Sequence, residues 1–366
     1  MTHLNTEMCE NLLKLRWQNG ALSDQNGYAH RLIEFYQEHR HQGEFAGVDG
    51  FMIRYDVFRH PSPQSAVVIS HGTGESSARY LELVKNLLES ELSCSVYILN
   101  HRGQGFSQRL LGHRDWQPHW DVYQKSPDLE VYRKTHVENF DHYVADFQSF
   151  MERVVAPDGV KPLYAIGHSM GGAILARFTE VHPQWFDGIV LTAPMLDIKW
   201  PVPKFLIAVS ARIANRLNPA GYAIGQSKYN FFTMPFQGNP LTTCESRYCL
   251  RQFIDQTFPP VILGGKTWGW VYQAMVHMPR IRQDAAKISC PVLLIGAEKE
   301  QLISPIGHDK FWHNLKNSNR DHSRDRRIIL RGARHEFFME HDNIRNWALN
   351  EILQFLRETR CPVPSV

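Results

Sequence analysis

Residues 162–172 read "PLYAIGHSMGG". An apolar run ends at Gly167 and a small hydroxyl follows at Ser169. From Gly172 the spacing changes, and "GAILARFTEVH" (172–182) repeats its apolar residues every three or four positions. A short continuous apolar run suits a strand buried on both faces, and the three-and-four spacing suits a helix. The stretch is therefore read as strand, sharp turn and helix, with Ser169 at the turn. Gly167 and Gly171, two positions to either side, remove the Cβ atoms that would obstruct so tight a turn. Such a turn lifts the hydroxyl above the end of a sheet and leaves the next N–H, that of Met170, facing a developing oxyanion. A loop serine is ordinarily a cap or a turn residue. In this setting a nucleophile is expected.

Working outward, the same alternation recurs. "SAVVIS" (65–70), "CSVYILN" (94–100), "DGIVLTAP" (187–194), "CPVLLIGAE" (290–298) and "RRIILRGA" (326–333) are candidate strands. Segments of helical periodicity lie between them, among them "ARYLELVKNLLES" and "NFDHYVADFQSFMERVV". This alternation predicts an α/β architecture, a mostly parallel, doubly wound sheet with helices on both faces. "EFAGVDGFMIRYDVFRH" (44–60) alternates around "VDG", as an antiparallel edge hairpin does. Two stretches break the pattern: a polar, aromatic loop over 108–135 and an aromatic, Pro-rich segment over 197–287. Long insertions in such folds are commonly lids or binding loops. The expected organisation is a helical extension over 1–42, a catalytic core over 43–196 and 288–360, and a helical cap insertion over 197–287.

A serine hydroxyl attacks well only when a base takes its proton. On a sheet of this kind the partners follow in the order Ser, acid, His, each after a later strand. "RGARHEFFMEHD", after the last strand, supplies His335. "AEKEQLISP", after the preceding one, supplies two acids. Glu300 is favoured for its reach to His335, Glu298 stands as the alternative, and Asp342 is a more distant candidate. "HGTGESS" (71–77) closes the first long strand. Its His71-Gly72 turn presents the Thr73 N–H as a second oxyanion donor beside that of Met170. One such donor contributes about 3 kcal/mol to transition-state stabilisation.

Composition narrows the class. A net charge of +3 over 366 residues is too mild for a nucleic-acid partner, and "RDHSRDRR" (320–327) is broken by Asp321 and Asp325. The first residues hold no basic segment followed by an apolar one, and no apolar run is long enough to span a bilayer. A cytoplasmic protein is expected. The six cysteines follow no framework or zinc spacing, so reduced thiols and no metal are expected. Within the insertion, "PKFLIAVSARIANRL" (203–217) places Phe205, Leu206, Val209, Ile213 and Leu217 on one helical face, with Lys204, Arg212 and Arg216 elsewhere. That pattern suits a packed cap helix or a helix lying on an anionic lipid surface. Trp200, Trp268, Trp270 and Tyr272 either line an apolar tunnel or belong to the core.

Six motifs carry a resemblance: "HGTGESSARY" (71–80), "NHRGQGFSQRLL" (100–111), "GHSMGGAI" (167–174), "HP" (182–183), "LTAPM" (191–195) and "GYAIG" (221–225). They are similar to those of bacterial lysophospholipases of the α/β-hydrolase superfamily and, more loosely, of monoacylglycerol lipases. The likeness covers roughly residues 43–356. "GHSMGG" and "NHRGQG" are shared by many lipases, and "LTAPM" with "GYAIG" narrows the match. The resemblance implies an α/β-hydrolase fold and an acyl-ester hydrolase for single-chain glycerolipids, with no metal or organic cofactor. Ser169 matches the family's nucleophile and His335 its base, while Thr73 and Met170 match its oxyanion positions. His71, Gly72, Gly167, His168 and Gly171 match the surrounding motifs. Glu300 matches the acid with one extra methylene, and Thr73 stands where monoacylglycerol lipases more often carry Ala. The expected function is lysophospholipid hydrolysis through a Ser-His-Glu triad and an acyl-enzyme. Monoacylglycerol lipase, another carboxylesterase or a serine aminopeptidase remain alternatives, as does acyl transfer to a second lipid. The expected partners are a lysophospholipid or monoacylglycerol substrate and peripheral contact with the inner face of an anionic membrane.

Overall fold

The strand, turn and helix around Ser169 stand at the centre of the computed structural model, which describes residues 15–18, 21–112, 129–228 and 235–360. The eight-stranded sheet comprises β3 (Arg40–Ala46), β4 (Met52–Phe58), β5 (Ser65–Ser70), β6 (Cys94–Leu99), β7 (Leu163–His168), β8 (Gly188–Thr192), β9 (Val292–Ala297) and β10 (Arg326–Leu330). Their spatial order is β10-β9-β8-β7-β5-β6-β4-β3. Strands β5 through β10 run parallel, and β4 and β3 add an antiparallel edge. The four central strands β6, β5, β7 and β8 are buried at every position, which is why they read as unbroken apolar runs. Strand β5 pairs with both β6 and β7. The strand order reverses there, and such reversals open a crevice at the strands' C-terminal ends. Ser169 and the "HGTGE" loop both lie at that end.

The helices Asp141–Phe150, Met170–Val181 and Pro305–Lys316 bury one face of the sheet. Tyr28–His39, Leu81–Leu88, Glu245–Thr257 and Asp342–Thr359 bury the other. The N-terminal region, expected to be wholly helical, also contains an antiparallel hairpin of β1 (Leu15–Gln18) and β2 (Ala21–Asp24) ahead of its helix. Strands of four residues are too short for periodicity to separate them from helix. The sheet then begins at Arg40.

The segment 197–287 contributes to two layers. Its helices Lys204–Leu217 and Trp268–Asp284 pack on each other above the C-terminal ends of the strands. Glu245–Thr257 instead lies against the N-terminal helix and β1, tied down by the buried pair Arg79–Asp255 at 2.6 Å. Arg247 holds the same helix to Glu82 at 2.9 Å and to Asp342 at 2.6 Å. That pairing occupies the distant acid candidate. The described end of the 108–135 loop joins the upper layer, because Thr135 N–H donates to Gly265 O at 3.0 Å and Thr267 N–H to Thr135 O at 2.9 Å. Its middle, residues 113–128, lies outside the described residues. No helix among the described residues is long and apolar enough to cross a membrane.

Candidate active site

At the end of β7 the backbone of Ser169 adopts φ 50°, ψ −117°. Positive φ is costly for a residue with a Cβ, and such strain persists only where neighbouring contacts hold it. Here Ser169 N–H donates to Thr192 O at 3.0 Å, and Ser169 O accepts from Met195 N–H at 2.8 Å. The glycines permit the approach: a Cβ on Gly171 would lie 2.0 Å from Ser70 O, and one on Gly167 would lie 2.8 Å from Gly172 Cα. Any other residue at either position would push the Ser169 turn off the sheet.

Ser169 Oγ lies 3.0 Å from His335 Nε2, and His335 Nδ1 lies 2.7 Å from Glu300 Oε2. The other carboxylate oxygen of Glu300 accepts the N–H groups of Leu302 at 2.7 Å and Ile303 at 3.2 Å. Burial alone would raise this carboxyl, but the His335 charge and these hydrogen bonds outweigh it and bring the group down to about 2. An ionised acid beside Nδ1 fixes the tautomer that leaves Nε2 able to accept the serine proton. The structure does not bring Glu298 to this point, since its Oε2 accepts from Gly332 N–H at 2.8 Å on the loop after β10.

The "HGTGE" loop is held from two sides. Gly72 N–H donates to Glu75 Oε2 at 2.6 Å, and Gly74 N–H to Gln104 Oε1 at 2.7 Å. The Thr73 N–H between them has no acceptor among the described residues. The N–H of Met170, the first residue of its helix, is one that no helical carbonyl can reach. Thr73, Ser169 and His335 share a cavity of about 310 Å³, lined largely by apolar groups including Met195, Ile198, Leu241 and Leu302, with Lys199, Gln226, Lys266 and Glu336 among the rest. Trp200, Trp268 and Trp270 line it as well, whereas Tyr272 packs at the edge of the core.

Sequence reasoning missed a second cluster directly behind these loops. His168 precedes Ser169, Glu336 follows His335, and Glu75 lies two residues past Thr73. His168 Nε2 sits 3.0 Å from Glu336 Oε2, with both side chains buried. Burial would lower the imidazole, yet Glu336 and then Glu75 overcome it and push it up to about 9. In the same way His168 holds Glu336 well below the usual carboxylate range against its burial. Burial and the charge of Glu336 raise Glu75, whose Oε2 also accepts from Tyr80 O–H at 2.7 Å. One acid–imidazole–acid cluster thus fastens the "HGTGE" loop, the Ser169 turn and the His335 loop together. The only signal in the chain was an acid adjoining each motif, in "HGTGE" and "RHE".

His71 and the "NHRGQG" stretch complete the scaffold. His71 Nε2 accepts from His101 N–H at 3.1 Å, its Nδ1 donates to Gly72 O at 2.8 Å, and burial lowers the ring to about 4. His168, His335 and Glu336 offer ligand atoms within 4.8 Å of one another. A cation there would have to displace His335 from its contacts with Ser169 and Glu300, so the donor set does not fit a resident metal.

Residues 61–342 match the protein family described as serine aminopeptidase, S33. The chain belongs to this family. It is 33% identical to lysophospholipase L2 of Escherichia coli K12, across 90% of this chain and 91% of that one. It is 23% identical to the monoacylglycerol lipase of Mycolicibacterium smegmatis, across 86% of this chain and 98% of that one. In fold it resembles a soluble variant of the monoglyceride lipase of Saccharomyces cerevisiae. That likeness has a TM-score of 0.62 at 18% identity and covers 87% and 96% of the two chains. The protein is a serine ester hydrolase on an α/β-hydrolase fold.

Proposed function

We propose that the protein hydrolyses the acyl ester of lysophospholipids through Ser169, His335 and Glu300. The observation that carries this reading is the hydrogen-bonded series Ser169–His335–Glu300, at 3.0 and 2.7 Å, opening into a largely apolar cavity. The E. coli relative supports the choice of lipid. Ser169 Oγ attacks the ester carbonyl carbon while His335 Nε2 takes its proton, and ionised Glu300 stabilises the resulting imidazolium. The Thr73 and Met170 N–H groups hold the oxyanion. Collapse of the tetrahedral intermediate expels the glyceryl oxygen, which receives the proton from His335. A water then gives a proton to His335 and attacks the acyl-enzyme, releasing fatty acid and restoring Ser169. A fluorophosphonate is expected to label the wild type and not Ser169→Ala, and the same change is expected to abolish release of fatty acid from lysophosphatidylcholine. Labelling at any other serine ends this reading.

Monoacylglycerol cleavage is the second reading, favoured by the M. smegmatis relative and by the apolar lining. A peptidase reading lacks an open acid for a substrate's amino group among the described residues that line the cavity. Glu75 is buried against Gly72 and Tyr80, and Glu336 is paired with His168.

The reading extends to the cap. Helix Lys204–Leu217 contributes Ile207 to the cavity and buries only Ala211 fully, while Phe205 and Leu217 are 67% and 81% exposed. Leu206, Val209, Ile213 and the nearby Ile224 are exposed too. An apolar face of this size, flanked by Lys204, Arg212 and Arg216, suits a helix that rests on an anionic bilayer beside the cavity mouth. Flotation with anionic vesicles at low and high salt tests it, and absence from the vesicle fraction at low salt removes it.

A further inference from the structure

The turn after β6, "NHRGQG" (100–105), sends one side chain between the loop of Thr73 and the helix that begins at Met170. That side chain is Gln104. Its backbone is closed into the turn, since Gln104 N–H donates to His101 O at 2.9 Å and Ser107 N–H to Gln104 O at 3.0 Å. The side chain is buried behind the cavity that holds Ser169, outside its lining, and it uses both ends of its amide. Oε1 accepts from Gly74 N–H at 2.7 Å. Nε2 donates to the Tyr143 hydroxyl at 3.1 Å and to Met170 Sδ at 3.5 Å. The partners themselves orient the amide. A backbone N–H can only donate, so Gly74 requires the oxygen, whereas a phenol oxygen and a thioether can both accept. Tyr143 is fully buried on helix Asp141–Phe150, in edge contact with the rings of Phe140 and His101, and fixes the far end.

The Thr73 N–H lies between two N–H groups that side chains take up, Gly72 by Glu75 and Gly74 by Gln104. Glu75 belongs to the same loop, so its bond fixes only local shape. Gln104 comes from another strand end, so its bond fixes where the loop stands against the rest of the sheet. Gly74 has φ 74°, and without this acceptor its peptide could turn at little steric cost. The other end of the same amide rests on Met170, whose N–H is the second donor. An oxyanion is stabilised most by donors already in place when it forms. A displacement of about 1 Å near the reacting centre can cost on the order of 10²-fold in rate. We propose that Gln104 is a positioning residue for the hydrolysis, setting the spacing of the Thr73 and Met170 N–H groups without touching substrate. The proposal rests on the reading of those two groups as the oxyanion donors.

The test compares wild type with Gln104→Met, which keeps the length of the side chain and removes its amide, and with Tyr143→Phe, which frees only the Nε2 end. Thermal unfolding reports whether each variant is folded. kcat and KM are measured on a short-chain, monomeric ester. A trifluoromethyl ketone with ¹³C at its carbonyl then reads the oxyanion itself. Ser169 Oγ bonds to the carbonyl carbon, the hydroxyl proton passes to His335, and the carbonyl oxygen takes the negative charge. The pH at which that carbon's resonance shifts reports how well the oxyanion is held. In wild type it is expected to lie well below the pH at which the ketone's hydrate ionises in water. Gln104→Met is expected to lower kcat by about 30–100-fold with KM within about twofold. The adduct's titration should rise by about one to two pH units, each tenfold in oxyanion stabilisation being about one unit. Tyr143→Phe should shift both in the same direction, with kcat down by about threefold. A folded Gln104→Met with kcat within about threefold of wild type overturns the proposal. So does a large fall in kcat with the titration unmoved, which would make Gln104 a merely structural tie. Should Gln104→Met not fold, an unmoved kcat and titration in Tyr143→Phe overturn it equally. A wild-type adduct that titrates like the hydrate sinks the oxyanion reading and the positioning role together. A wild-type adduct held low, and just as low in folded Gln104→Met, sinks the positioning role alone.

Discussion

On the sheet side of the cavity, Gly72, Gly74, Tyr80, His168, Glu336 and Glu300 all have hydrogen-bond or ion-pair partners within the protein. On the cap side, the indoles of Trp200 and Trp270 lack acceptors among the described residues, and helix Lys204–Leu217 turns its largest apolar side chains to solvent. The first wall is tied together before a substrate arrives and leaves open the Thr73 and Met170 N–H groups, which is what electrostatic preorganisation requires of a site that must meet a developing charge without rearranging. The second wall carries two indole N–H groups without acceptors among the described residues, and uncovered apolar surface.

The finished wall is the more sensitive to a single change. Ser169→Ala is expected to lower kcat by on the order of 10⁵–10⁶-fold, because triad members act as a unit. Steady-state release of fatty acid, read against labelling, measures it. Glu300→Gln keeps the size of the side chain but lets an amide face His335 Nδ1, favouring the wrong tautomer. A loss of about 10⁴-fold in kcat is expected. The same variant has a signature in stability. The carboxyl of Glu300 lies at about 2 in the folded chain against an ordinary 4.5. Its depressed pKa therefore contributes stability above pH 4.5, which is lost as pH falls through 2. That contribution is on the order of 3 kcal/mol, and urea titrations between pH 5 and pH 3 should show a shallower acid limb in Glu300→Gln. An unchanged acid limb would mean that Glu300 and His335 are not paired in solution.

How far the chain could be read follows the same division. The buried parallel strands were legible because an unbroken apolar run between glycines has few other uses. The meeting of Ser169, His335 and Glu300 was legible because chain order and strand ends restrict which loops can touch. Glu336 was not, since an acid beside a histidine looks like a solvated loop charge until the fold turns it onto His168. The hairpin of β1 and β2 was hidden by the shortness of its strands. The face of Phe205, Val209 and Leu217 gave a clear helical stripe, but the same stripe serves a buried helix and an uncovered one. Periodicity gives the face and says nothing of what lies against it.

The cluster behind the loops yields the next expectation. Glu336→Gln removes the charge that holds the buried imidazole of His168 at about 9, so that ring's titration should move down towards or below the ordinary 6.5. NMR of the imidazole protons reads this directly. The folded pKa is the higher one, so the stability it contributes is full below pH 6.5 and disappears as pH rises through 9. The variant should lose that alkaline limb together with about 3–5 kcal/mol near neutral pH, the usual cost of breaking a buried ion pair. A variant as stable as wild type with His168 still titrating near 9 would assign the shift to Glu75, the next contributor, and separate the histidine loop from the cluster.

The smallest expected effect on stability falls on the unfinished wall, and it is the one that bears hardest on the contrast. Phe205, Val209 and Leu217 are 67%, 56% and 81% exposed, so replacing all three with Ser removes little buried surface. Each change should cost no more than about 0.5 kcal/mol, as surface substitutions usually do. Recovery of the triple variant with anionic vesicles should nonetheless fall sharply, because apolar insertion supplies the part of interfacial binding that salt does not screen. Turnover of substrate in vesicles should fall with it, while turnover of a short-chain, monomeric ester holds. If the triple variant were instead destabilised by several kcal/mol, those side chains would be packed in solution, and the two walls would differ only in chemistry and not in completeness.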